Sequence, residues 1–123
     1  MNSEEFVTRI RVAVYESVVQ GTLSLLRRPP GRKPSVALVE LSRWFKELAP
    51  EDQDRVQAII RLAVRSSVFG MLAVLDGVRS IREAGEPVRT LELWSAADEE
   101  SVLLNGPNDE FLHDIFAAQV PPE

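Results

Sequence analysis

The stretch from Pro50 to about Ser80 dictates the architecture, because Val68, Phe69, Gly70, Met71, Leu72, Ala73, Val74 and Leu75 would place apolar groups on every side of a helix. A helix that is apolar all round has to be surrounded. Crossing a bilayer takes about 20 apolar residues, so a run this short reads as the centre of a soluble core. Upstream, Val56, Ile59, Ile60, Ala63 and Ser67 recur at three- and four-residue steps, the pattern of a one-faced surface helix. Pro50 suits the first helical position, and Glu51, Asp52 and Asp54 lie at the positive end of the helix dipole. Ala49 offers no side-chain cap. A straight helix from Glu51 to Glu83 would measure about 50 Å in a domain about 35 Å across, so it has to bend or stop. Gly70 would let another backbone come close, but the expected break is the turn-forming pair Asp76-Gly77, with Val78 to Glu83 adding a further helical turn or two.

Three helices are expected before the break and a mixed segment after it. The first runs from about Glu4 to Leu26 behind a Ser3 cap, with a stripe of Phe6, Ile10, Ala13/Val14, Val18 and Thr22/Leu25. Val7, Val12, Val19 and Leu23 widen that stripe beyond one packing contact, which points to a second neighbour or a second copy of the chain. Pro29 to Pro34 cannot continue a helix, and the basic loop 27–34 gathers Arg27, Arg28, Arg32 and Lys33. Helix two follows from Ser35 or Val36 to about Leu48, with Leu38, Leu41, Trp44/Phe45 and Leu48 on one face. Beyond Pro87 the apolar period shortens to two residues, so Thr90 to Trp94 and Ser101 to Asn105 propose a β-hairpin joined by Ser95 to Glu100. Leu91 and Leu93 would face the helices and Trp94 the other side. Asn108 would then cap a short helix that buries Leu112, Ile115 and Phe116, ahead of a loose tail, 120–123. The expected fold is one mostly helical α+β domain over residues 1–123: three N-terminal helices with a long central one, a C-terminal hairpin and a short helix.

Charge narrows the functional classes. Residues 1–50 hold eight Lys/Arg against five Asp/Glu, residues 51–123 hold six against fourteen, and no Lys or Arg follows Arg89. Nucleic acid is not the expected partner, since phosphate contacts need clustered positive charge and the one basic loop has no aromatic residue interleaved for stacking. Cysteine is absent, which removes disulfides and thiolate metal sites and fits a reducing compartment. The start MNSEEFVTRIRV is acidic where a secretory signal is basic, so a cytoplasmic protein without membrane insertion is expected. The segments FGMLAVLDGVRSI and LHDIF resemble stretches of small bacterial proteins, some of which act as immunity partners of toxins. No residue roles are carried across.

Two residues could carry acid–base chemistry. Asp76 follows the apolar run, where partial burial would suit a carboxyl to general acid work; as the first half of a turn it would instead cap the next N–H groups or pair with Arg79. His113 is the one histidine, and on a helix Asp109 and Glu110, one turn back, are better placed to hold it than the adjacent Asp114. The serines stand in no nucleophile-elbow context, and no glycine-rich phosphate loop is present. Neither metal nor cofactor is expected. The preferred reading is therefore a non-enzymatic interaction protein, an immunity-type or regulatory binder and a homodimer, that meets a basic protein partner through Asp98, Glu99, Glu100, Asp109, Glu110, Asp114 and Trp94. The alternative is a small hydrolase or isomerase using Asp76 or His113.

Overall fold

The computed structural model describes residues 1–122. A helical rod opens the chain: α1 (Ser3–Ile10), a π-helical segment (Arg11–Glu16) and α2 (Ser17–Arg27). The cap is Asn2 instead of Ser3, its Oδ1 accepting the Glu5 N–H at 2.8 Å, while the Ser3 hydroxyl donates to the Leu104 carbonyl at 2.7 Å. α3 (Val36–Glu47) starts from Ser35, whose Oγ accepts the Leu38 N–H, and α4 (Pro50–Leu75) follows after a short junction. β1 (Trp94–Ala97) and β2 (Glu100–Leu103) form a two-stranded antiparallel sheet, and α5 (Leu112–Gln119) completes the α+β fold.

α4 is the spine, and its two halves serve two cores. Its first half, through Val56 and Ile60, packs beside Val19 and Leu23 of α2 and Phe45 of α3. The second half, through Val68 and Leu72, packs with Val7 of α1 and Leu112, Ile115 and Phe116 of α5. Tyr15 and Val64 touch both clusters. The all-round apolar run is not fully surrounded, however: Val68, Gly70, Leu72 and Ala73 are buried, but Met71 is 63% exposed. Over its whole length α4 is long and apolar enough to cross a membrane by length and composition, which the run alone is not. In α3, Leu41 and Trp44 lie outside the core they were expected to join, and Ser42 is buried in their place, donating to the Leu26 carbonyl at 2.6 Å.

The break falls at the expected pair. Gly77 takes φ +77, its N–H bonds the Val74 carbonyl and the Val78 N–H bonds the Ala73 carbonyl, a Schellman ending that stops the helix. Val78 to Glu83 are consequently not helical, and residues 76–93 contain neither helix nor strand. Gly70 does allow a close approach, but by a side chain: a Cβ there would overlap the Arg79 guanidinium. The hairpin is shifted from its expected strands, with Trp94 opposite Leu103, Ala97 opposite Glu100, and Asp98 at φ +51 turning the chain with Glu99. Asn105 fastens it to α4, accepting the Leu93 N–H at 2.8 Å and donating to the Leu75 and Leu91 carbonyls at 2.7 and 2.8 Å. Val120, expected in a loose tail, is buried and its carbonyl accepts from Arg65 Nε at 2.7 Å; Glu123 lies outside the described residues.

Candidate functional site

Asp76 and His113, separate candidates in the sequence, meet in the fold. Asn108 does not cap α5, which begins at Leu112 behind Phe111, a residue with no side-chain cap to offer. The orphan N–H groups are satisfied from α4 instead: Asp76 Oδ1 accepts the Leu112 N–H at 3.0 Å, and Oδ2 accepts the His113 N–H at 2.9 Å. His113 Nδ1 lies 2.6 Å from the same Oδ2. A carboxylate only accepts, so Nδ1 carries the hydrogen of that bond and Nε2 faces away. The partners expected from helix spacing are wrong in both cases, since tertiary packing brings Asp76 across 37 residues. Asp109 instead accepts the Gly106 N–H, and the adjacent Asp114, expected not to pair, has Oδ1 3.4 Å from His113 Nε2. Asp76 likewise makes no ion pair with Arg79 among the described residues.

The pair is enclosed. The Asp76 side chain is 1% exposed and that of His113 10%. The Phe111 ring stacks on the imidazole at 5.2 Å between centroids with 22° between planes, while Phe69 meets it edge-on at 5.2 Å. Arg65 Cζ sits 5.7 Å from the Phe69 centroid. Chemically, a carboxylate on Nδ1 orients an imidazole so that Nε2 could exchange a proton, the relation found in catalytic triads. Nε2, however, lies 3.4 Å from the Asp114 carboxylate, which is no nucleophile of the triad kind.

The acidic surface is distributed over the hairpin tip and the approach to α5. Asp98, Glu99 and Glu100 are exposed and enter no ion pair among the described residues, as are Asp109, Glu110 and Asp114, the last apart from its histidine contact. Leu93 packs on the core, so strand alternation turns Trp94 outward, 53% exposed and directly across from Leu103. Trp94 thus stands on the same small hairpin as the three acidic turn residues.

A second feature escaped the sequence reading. The π-helical segment, α4 and the end of α5 enclose a groove of about 580 Å³ lined by Arg11, Tyr15 and Glu16, by Ile59, Arg61, Leu62 and Arg65, and by Gln119 to Pro122. Arg61 and Arg65 stand one turn apart on the same stretch of α4 as Ile59 and Leu62, a pairing visible in the sequence but readable there as a solvated face. Among the described residues no group of three or more His, Asp or Glu side chains is placed to hold a metal ion. Comparisons with protein-family models, with curated proteins and with solved structures return no match.

Proposed function

We propose that this chain is a non-enzymatic interaction protein whose C-terminal hairpin receives a basic protein partner. The observation that carries the reading is Trp94, a large aromatic side chain half exposed on a two-stranded hairpin whose turn is Asp98-Glu99 followed by Glu100. An aromatic anchor beside charges left free to meet a partner is the usual composition of a binding hot spot and its rim. Asp109, Glu110 and Asp114 extend the acidity towards α5. An immunity-type or regulatory role in a bacterial cytoplasm is consistent with that surface, and self-association through the outer faces of the helical rod belongs to the same reading.

The test is retention of partners by immobilised chain. Wild type should retain a basic protein from its host's extract that both Trp94→Ala and the triple reversal Asp98→Lys, Glu99→Lys, Glu100→Lys release. With that protein purified, the reversal should slow association sharply at low salt, and the difference should shrink as the Debye length falls to about 8 Å near physiological ionic strength. Retention indifferent to both variants would leave the acidity as a solubilising surface. The second reading, a small hydrolase or isomerase, draws on the 2.6 Å contact of Asp76 and His113. It has less to stand on, because both Asp76 oxygens are engaged by N–H groups and neither residue lines the groove beside α4.

A further inference from the structure

From the groove beside α4 we infer a binding site for a small amphiphilic anion, a free carboxylate carried on an apolar chain. Four independent features converge there. The cavity, about 580 Å³, lies in the size range of small-molecule sites, and its floor is apolar, with Ile59 and Leu62 each more than 60% exposed to it and to solvent. Its charge runs against that of the molecule: among the described residues Arg11, Arg61 and Arg65 line it against one carboxylate, that of Glu16, in a chain whose net charge is −5. Neither Arg61 nor Arg65 is in an ion pair among the described residues, Arg65 spending its Nε on the Val120 carbonyl, and Arg11 Nε reaches Glu16 only at 3.7 Å. Two buried polar atoms of lining residues, Arg11 Nε and Gln119 Oε1, have no hydrogen-bond partner among the described residues. The wall that carries Arg11 and Tyr15 is π-helical, a local widening that costs regular hydrogen bonding and is found disproportionately at functional sites.

The chemistry of the occupant follows from the lining. Guanidinium groups select a planar anion, for which their paired N–H donors are shaped. Ile59, Leu62, Val120 and the two prolines select an apolar body, and a cationic head would be repelled by the arginines. A site this open and this arginine-rich fits a flexible chain with one acidic end better than a compact polar metabolite, which would leave the leucine and isoleucine wet.

Titration of the full chain with decanoate below its micelle concentration, followed by calorimetry and by amide chemical shifts, tests the assignment. Saturable one-to-one binding is expected, with shifts centred on Tyr15, Leu62 and Gln119, and decylammonium should bind at least tenfold more weakly. Arg61→Gln should weaken decanoate about tenfold, the worth of one charge-assisted hydrogen bond, without weakening decylammonium. Leu62→Asn should weaken both; its side chain and that of Arg61 are not in the core, and circular dichroism confirms folding. Equal binding of the two amphiphiles, no saturation by decanoate, or binding unchanged in Arg61→Gln would overturn the site and leave simple adsorption to apolar surface. Binding to phosphatidylglycerol vesicles without binding of free decanoate would also overturn it, in favour of a lipid surface.

Discussion

At the scale of single residues, the Asp76 side chain ties α4 to α5, receiving three hydrogen bonds from two successive residues of α5 at the end of α4. Its local chemistry was legible: an aspartate before a glycine is a turn, and its carboxylate was expected to cap. The identity of the capped groups was not, because spacing along the chain speaks only of neighbours and the capped N–H groups lie 36 and 37 residues away. The expected partners of His113, Asp109 and Glu110, fail for the same reason, since packing between Phe69 and Phe111 buries the ring beside Asp76. Replacing Asp76 by alanine leaves buried donors unsatisfied and uncaps α5, so chemical denaturation should show a loss of roughly 2–4 kcal/mol. Asp109→Ala removes one bond in an exposed loop and should cost much less. Equal losses would mean that the buried contact does not hold α5 in place.

Elements were easier to read than their phases. The existence of α3 and α4, the end of α4 at Asp76-Gly77 and the presence of a hairpin were all in the pattern, since capping, proline placement and turn chemistry act locally. The first helix shows where periodicity misleads. A stripe through Ile10, Val14 and Val18 assumes 3.6 residues per turn throughout, but the π-helical turn delays the face, so Tyr15 and Val19 turn inward and Val14 and Val18 turn out. The hairpin slipped because alternation in Thr90 to Trp94 reflects an extended segment, whereas the two-residue turn at Asp98-Glu99 sets the pairing. α4 offers a sharp check on which of its sides is core. Leu72 is 3% exposed, so Leu72→Ala should cost roughly 2–5 kcal/mol, while Met71→Ala on the bare side should leave the unfolding midpoint nearly unchanged. A midpoint unmoved by Leu72→Ala would remove α4 from the centre of the fold.

For the whole molecule, the rod leaves Val12, Val14 and Val18 exposed, α3 adds Leu41 and Trp44, and α4 adds Ile59, Leu62 and Met71. Apolar surface on this scale is where self-association is expected, and light scattering at tens of micromolar protein should report a dimer that Val14→Lys with Val18→Lys returns to monomer; a monomeric wild type would remove that expectation. None of this followed from composition, since the same residues could equally have been inside. One arrangement governs how the molecule comes into being. The opening and closing segments touch: Gln119 donates to Thr8 at 2.9 Å and Ser3 to the Leu104 carbonyl, contacts closed over 111 and 101 residues, and Val7 shares its cluster with Leu112, Ile115 and Phe116. Contacts of such long sequence separation are the slowest to form. During synthesis the buried face of α1 therefore lacks its α5 partners until residues 112–119 have been made, and this part of the core closes late.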